Sequence, residues 1–454
     1  MANARESALT ALSNIVVNGK YGNQAVNEQI EKNGLDAQER AFMTELTYGT
    51  LKNIQLLDFY AAPYFKGRVK AWVKLLISLT LYQILYLDNV PEHAAVSEAV
   101  NIAKKRGGKV IGGVVNGILR ELCRHPLRKL EEIQDPLERL ATEWSHPLWL
   151  VKLWESQYGR EQTVEILKAN NQKAHLTLRV NTRLVSRKEL RDRLKEEGVL
   201  TRESPLSNEA LIVDAGNPVR TRSFDKGCFY VQDQASMLAA HSLGPDPGSR
   251  VLDTCSAPGG KATHAAQLMQ GTGIVVAHDL YPHKIQLIEE NVQRLGLSNI
   301  EASVLDAATL AKSYPQESFD YIMIDAPCSA LGILRRHPEA KIFKKPEDLD
   351  EIQKTSKKIL EEAAGLLKPG GRMVFSTCTV NRKENEKQVK TFLGKHPDFQ
   401  LDSTLPERMP EQLKKKTADG MIQLFPGEYG TDGFFIASLT KKARDFEKKG
   451  GCHE

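Results

Sequence analysis

The stretch that most constrains the fold is Val251 to His264, VLDTCSAPGGKATH. Val251 and Leu252 continue an apolar strand, and Asp253 to Ser256 stand at its carboxyl end. Pro258, Gly259 and Gly260 then permit a sharp turn before a helix opens near Lys261. In open α/β sheets ligands bind at such strand ends. Amides left free at the helix start suit a carboxylate or phosphate, and the small residues let a ligand approach the backbone closely. Many turns of this kind bind nothing, so the surroundings must decide.

Those surroundings point to a nucleoside derivative. Gly273 to Asp279, GIVVAHD, spells a buried strand ending in an acid. It lies about 20 residues past the turn, where a Rossmann-like fold holds a ribose hydroxyl pair. The G-x-G-x-x-G spacing of a dinucleotide site is absent and a proline stands inside the turn, which argues against nicotinamide and flavin. S-adenosylmethionine is the leading candidate, with S-adenosylhomocysteine as its product.

A chain of 454 residues has room for two to four domains. With 62 Lys+Arg against 57 Asp+Glu, the net charge of +5 neither requires nor excludes nucleic acid, so the distribution of charge matters more. Residues 1–140 read as helices only, with apolar faces at Leu9, Leu12 and Ile15, at Phe42, Leu46 and Leu51, and along Ala71 to Leu87. Toward the end of this region stand Lys104, Lys105, Arg106, Lys109, Arg120, Arg124, Arg128 and Lys129, opposed only by Glu121. That run suits a solvated face and an RNA-backbone patch equally. Trp144, Trp149 and Trp154 read as core or hinge packing.

Residues 141–235 read as a small α+β module of RRM-like size: a strand at Leu176 to Thr182, a serine-capped helix from Ser186 to Gly198, and strands at Ala210 to Val213 and Cys228 to Gln232. Arg179, Asn181 and Arg183 there either contact a nucleic-acid backbone or serve solubility. From 236 to 442 strands and helices alternate, with strands expected at 250–255, 273–279, 300–306, 320–326 and 372–378. This predicts a parallel α/β, Rossmann-like domain. Met421 to Phe425 and Gly433 to Leu439 suggest a closing antiparallel pair, and 443–454 a flexible basic tail.

The cysteines at 123, 228, 255, 328, 378 and 452 include no C-x-x-C pair and no histidines at zinc spacing, so no metal is expected. The amino terminus lacks a secretion signal, and the 71–87 tract carries Lys74 and Gln83 and is short for a membrane span. A reducing cytoplasm and no membrane partner are the expectation.

Two cysteines fall where ligands bind. FDYIMIDAPCSA ends a strand with Asp325 and Cys328, and RMVFSTCTV ends the next with Cys378. If these strands are neighbours, about 4.8 Å apart, both thiols reach one pocket. A buried cysteine is by default a small hydrophobe; two at adjacent strand ends beside a methyl donor have a specific use. A thiolate adding to C6 of a pyrimidine makes C5 nucleophilic enough to attack a methyl sulfonium. Asp325 is placed to hydrogen-bond the base at N3 and N4 and stabilise the developing charge. A base inside a helix would have to be flipped out.

DTCSAPGGK, His278-Asp279, DAPCSALGILRRHPEAK, FSTCTVNRKEN and GTDGFF resemble the RNA (cytosine-5) methyltransferases of the NOL1/NOP2/Sun family over essentially the whole chain. With the helical region, which resembles NusB-type RNA-binding domains, and the FYVQDQAS segment, the resemblance is to the bacterial 16S ribosomal RNA branch of the RsmB/Sun type. It implies a class I S-adenosylmethionine-dependent fold and a target conventionally called cytosine 967. It implies cofactor contacts from Cys255, Ser256, Ala257, Pro258, Gly259, Gly260, Lys261, Asp279, Asp306 and Asp325, with Asp279 on the ribose and Asp306 on the adenine side. Cys378, in the T-C motif, is the implied nucleophile and Cys328, in the P-C motif, assists release. DNA cytosine methyltransferases use the P-C thiol instead, so spacing alone does not choose. Thr254, Ser256 and Thr379 stand where relatives often carry Leu, Ala and Ser.

Arg335, Arg336 and His337, followed by Lys341, Lys344 and Lys345, form a basic segment that reads either as a contact to RNA backbone or as a solvated loop. Two other functions fit the same residues: C5 methylation of a transfer RNA, another RNA or DNA, and a non-catalytic RNA-binding regulator. The sequence names no protein partner for the helical domain.

Overall fold

The computed structural model describes residues 3–444, so ten positions of the expected tail, 445–454, lie outside the described residues. Among the described residues the chain forms two compact units, one comprising 3–173 with 334–345, the other 174–333 with 346–444. The helical unit therefore runs past the expected boundary at 140, and it includes the basic segment that follows the P-C motif.

In the first unit, α1 (Ala4–Val16), α2 (Gly22–Asn33), α3 (Ala37–Ala61), α4 (Ala71–Tyr86) and α5 (Glu92–Arg124) share one core containing Leu9, Leu12, Ile15, Leu46, Leu51, Leu76 and Ile77. α4 is the helix the others wrap: Leu75 to Gln83 are all buried. Its polar side chains are satisfied inside the helix, Thr80 donating to Leu76 O and Gln83 to Leu79 O. No described helix is long and apolar enough to cross a membrane. α5 breaks at Gly108, whose φ of 82° is open to glycine, and the chain reverses there. α6 (Pro136–Glu143) and α7 (Leu148–Asn171) complete the unit, with Trp154 fully buried.

The segment 334–345 is anchored by charge as well as by Ile342, which packs on the helical core. Glu339 accepts from the Gly22 amide at 3.0 Å, and Lys341 donates to Lys52 O at 3.0 Å and Asn171 Oδ1 at 3.2 Å. Burial, reinforced by the Lys52 charge, pushes the Lys341 ammonium down to about 7. Lys52 is lowered to about 8 by burial, with Arg335 and Lys173 adding to the effect and Glu45 opposing it. His146 is held well below the usual imidazole range by burial and by Lys341. For Lys341, the unfolded chain holds a proton between pH about 7 and 10.5 that the folded chain has released, so stability rises with pH across that window. Thermal scans of wild type are expected to show a melting temperature that climbs from pH 7 to 9.5. Lys341→Met should start higher at pH 7 and climb less, by an amount equivalent to a few kcal/mol; an identical climb in both proteins would refute this account.

The second unit holds two sheets. The smaller combines β1 (Leu176–Val180), β2 (Leu200–Glu203), β3 (Ala210–Ala215) and β4 (Phe229–Val231) in the order β2-β3-β1-β4, all pairs antiparallel. With α8 (Arg187–Glu196) between β1 and β2 and α9 (Arg222–Asp225) before β4, this is the expected RRM-like, ferredoxin-like βαββαβ module. α10 (Gln234–Leu243) leads out of it.

The larger sheet contains β5 (Arg250–Asp253), β6 (Ile274–Asp279), β7 (Ile300–Val304), β8 (Phe319–Asp325), β9 (Leu367–Thr377), β10 (Phe399–Leu401), β11 (Met421–Leu424) and β12 (Phe434–Lys441). Its order is β10-β12-β9-β8-β5-β6-β7, with β11 also on β12. β5 to β9 are parallel, and β12 enters antiparallel beside β9. The expected closing pair is thus part of the main sheet. α11 (Gly260–Leu268) and α12 (Pro282–Arg294) follow β5 and β6, and beyond the short α13 (Ala340–Phe343) of the first unit come α14 (Pro346–Ala364) and α15 (Glu386–Lys395). α10 and α11 contribute to the apolar core on one face, and α14 and α15 to that on the other. The order reverses at β5, between β6 and β8, which makes the end of β5 the topological switch point where such folds bind ligands.

Candidate active site

At the switch point, β5 delivers Asp253 to the turn, and the chain enters α11 through Gly259, with φ of 97°. Asp253 is fully buried, and neither carboxylate oxygen has a hydrogen-bond partner. Burial pushes its pKa up to about 7, with the Asp325 charge adding to the rise and Lys261 opposing it. A buried acceptor left unsatisfied is costly, and it suits a site completed by a polar ligand. Cys255 is partly exposed, its thiol pushed up to about 12 chiefly by burial. Ala257 donates its amide to Asp279 Oδ2 at 3.1 Å, and Leu280 donates to Asp279 Oδ1 at 2.8 Å. Asp279, at the end of β6, is thereby fixed beside the turn, with Lys284 Nζ 3.3 Å from its Oδ1. Asp306 caps a 3-10 turn by accepting from the Ala308 amide at 2.9 Å, and its side chain is exposed. The acceptor set fits S-adenosylmethionine: an orphaned carboxylate at the end of β5 and an acid at the end of β6.

The P-C and T-C segments meet as adjacent strands require. Asp325 pairs with Ser376 in the β8–β9 register, and three residues on, Cys328 Sγ lies 3.5 Å from Cys378 Sγ. Both thiols are partly exposed. Hydrogen bonding to Cys378 pushes the Cys328 thiol well above the usual range, with burial adding to it. Asp325 is held by Lys261 Nζ at 2.6 Å and by the Ser376 hydroxyl at 2.9 Å. Burial would lower the Lys261 ammonium, but Asp325 outweighs it and Cys378 adds to the rise. One lysine therefore links the turn after β5, Asp325 and Cys378 by charge.

The resemblance assigned no role to the residues that hold the two cysteines together. Glu384, 3% exposed, accepts from the Ser329 amide at 2.7 Å, the Ser329 hydroxyl at 2.6 Å and Asn381 Nδ2 at 2.8 Å. The Ser329 hydroxyl also meets Thr379 Oγ1 at 2.7 Å, so the residue after each cysteine belongs to one network. Gly332 donates to Cys378 O at 2.9 Å and accepts from the Gly433 amide at 2.8 Å. A Cβ at Gly332 would lie 2.1 Å from Gly433 O, so the close approach requires glycine. The only advance signal was the presence of Glu384 and Gly433 within quoted motifs. Glu384→Gln is expected to lower methyl-transfer kcat by about 10-fold and stability by about 1–3 kcal/mol, because an NH2 in place of one carboxylate oxygen sets a donor against the Ser329 and Asn381 donors in a buried site. Parallel kinetics and thermal melts test this; unchanged kcat would remove Glu384 from the positioning of the thiols.

The basic segment differs from expectation. Arg335 is 4% exposed and does not present an open cation. Arg336 and His337 are half-buried, and His337 Nδ1 lies 3.4 Å from Glu339 Oε1. Lys341 is buried as described. These side chains belong to the helical unit, whereas the two thiols belong to the other.

Residues 240–440 match the family model described as 16S rRNA methyltransferase RsmB/F. Residues 2–124 match the NusB family, and 146–220 the RsmF/B-like, ferredoxin-like domain. The chain is 42% identical over 440 residues to a "Probable ribosomal RNA small subunit methyltransferase B" of Bacillus subtilis, covering 96% of this chain and 98% of that protein. It is 32% identical to the "Ribosomal RNA small subunit methyltransferase B" of Cronobacter sakazakii, covering 97% and 99%. Among solved structures, PH0851 superposes with a TM-score of 0.79 at 25% identity, covering 97% of this chain and 100% of that one.

Proposed function

The chain belongs to the 16S rRNA methyltransferase RsmB/F family, and from that premise we propose that it methylates C5 of a cytosine in 16S ribosomal RNA, the conventional cytosine 967, using S-adenosylmethionine. The observation that carries this reading is the pair of thiols 3.5 Å apart at the ends of adjacent strands, beside the Lys261–Asp325 pair and next to the turn at the end of β5. S-adenosylmethionine bound there would supply the methyl group. Asp279 offers acceptors to a ribose, the turn from Cys255 to Lys261 offers amides and close approach, and Asp306 marks the adenine side.

Cys378 adds as thiolate to C6 of the flipped cytosine, forming the sulfur–carbon bond and placing the electron pair on C5. Asp325, oriented by Lys261 and Ser376, holds N3 and N4 of the base while that charge develops. After C5 takes the methyl group, loss of the C5 proton re-forms the C5–C6 double bond and expels Cys378. Cys328 assists this release. Arg336 and His337 are the RNA contacts proposed for the basic segment, and Lys104, Lys105 and Arg106 those of the helical domain.

The test is transfer of labelled methyl from S-adenosylmethionine to small-subunit ribosomal RNA, with the labelled nucleotide mapped. Label on one cytosine at C5 supports the proposal. Label on transfer RNA instead would move the substrate, and tight RNA binding with no transfer would replace the enzyme by an RNA-binding regulator.

A further inference from the structure

In an RRM-type module the open sheet face is where nucleic acid stacks, and Arg179, Asn181 and Arg183 were candidates for such contacts. The structure uses that face otherwise. Along β1, Leu178 and Val180 enter the module's own core with Leu190 and Leu194 of α8, so Arg179 faces the opposite side. There it is 1% exposed. It donates to Gly260 O at 2.5 Å and to Thr263 Oγ1 at 2.9 Å, and also to Gln232 Oε1. Its guanidinium lies 5.2 Å from the centre of the Tyr230 ring. Tyr230 in turn donates to Pro258 O at 3.4 Å and packs so closely that a Cβ on Gly260 would lie 3.0 Å from it.

The atoms thus gripped belong to the cofactor turn and the first turn of α11. The grip continues down the helix. Glu209 accepts from His264 Nε2 at 2.5 Å, from His241 Nε2 at 2.6 Å and from Gln267 at 3.1 Å. A buried guanidinium beside a helix amino terminus, where the backbone is already electropositive, is unfavourable on electrostatic grounds. Glu209 offsets that charge only in part, since Arg294 also faces Arg179. The arrangement is understandable if the turn receives an anionic group, such as the carboxylate of an amino-acid moiety.

We infer that Arg179 is a positioning residue of the cofactor site, acting through Gly260 O and Thr263, so that the small α+β module is part of that site. The inference rests on the S-adenosylmethionine reading above. Asn181 provides the contrast: it donates to Gly227 O within the module and ties the module to Leu295 O, just past α12, each at 3.0 Å and both outside the turn and α11.

Titration calorimetry of S-adenosylhomocysteine into the full chain tests this, with RNA binding and melting temperature measured in parallel. Arg179→Met should weaken S-adenosylhomocysteine about 10- to 100-fold while RNA affinity stays within about two-fold, and Arg179→Lys, which keeps the cation, should recover part of the loss. Asn181→Ala should lower the melting temperature without changing S-adenosylhomocysteine affinity, which separates positioning from general docking. If Arg179→Met does not fold, Arg179→Lys and Tyr230→Phe carry the same comparison. Wild type failing to bind S-adenosylhomocysteine overturns the cofactor reading and this inference together. Wild type binding with Arg179 variants equally tight overturns this inference alone, as does a loss confined to RNA binding.

Discussion

Cys378→Ala is expected to reduce methyl transfer by on the order of 10⁴-fold or more, with RNA and S-adenosylhomocysteine affinities within a few-fold of wild type. The size of the effect follows from the chemistry: C5 of cytosine is a poor nucleophile until C6 carries a thiolate, and no other group replaces that electron donation. Cys255 does not substitute, because it sits in the turn after β5 with its thiol pushed up to about 12, chiefly by burial. The structure is expected to tolerate the change, since Cys378 is partly exposed and its backbone carbonyl, not its sulfur, accepts from Gly332. Single-turnover transfer to ribosomal RNA measures the loss. Retained transfer in this variant would assign the nucleophile to Cys328, the choice that DNA cytosine methyltransferases make.

Cys328→Ala is expected to behave differently: it should form the bond to C6 and then fail to let go. Hydrogen bonding to Cys378 and burial push its thiol upward, and at 3.5 Å it sits where the departing sulfur must be accommodated. Denaturing gels of enzyme mixed with RNA and S-adenosylmethionine should show a protein–RNA adduct that wild type clears, with steady-state turnover down by about 10²-fold or more. The double variant with Cys378→Ala should show no adduct. An adduct-free Cys328→Ala with normal turnover would leave Cys328 without a role in release.

Much of the site was legible because its logic is local. A strand, a proline-glycine turn and a helix start are adjacent in sequence, and so are an acid and a cysteine three residues apart at a strand end. The helical tract 71–87 was readable as a core helix for the same reason: Lys74 and Gln83 interrupt it within two turns of either end. The family domains divide between 124 and 146, close to the expected 140, whereas the packing of α6 and α7 with the helical unit is a tertiary matter that their spelling does not show. Arg179 and Arg335 are buried, where the sequence had offered them surface roles. Burial of Arg179 is offset because Gly260 O, Thr263 and Gln232 converge on its two terminal nitrogens.

By itself the sequence determined the domain classes, the strand–turn–helix at Val251 to His264 and the placing of Asp325, Cys328 and Cys378 at strand ends, because each is carried by residue type and short spacing; the separate roles of the two thiols came from the resemblance alone. Only the tertiary structure decided that Glu384 ties the residues after both cysteines, that Gly433 closes on Gly332, and that the RRM-like face grips α11. These contacts join residues 50 or more positions apart, and they depend on which strands lie side by side and which face of each is covered. Periodicity gives the two faces of a strand. What each face meets is set by the packing of whole elements, which no local spacing encodes.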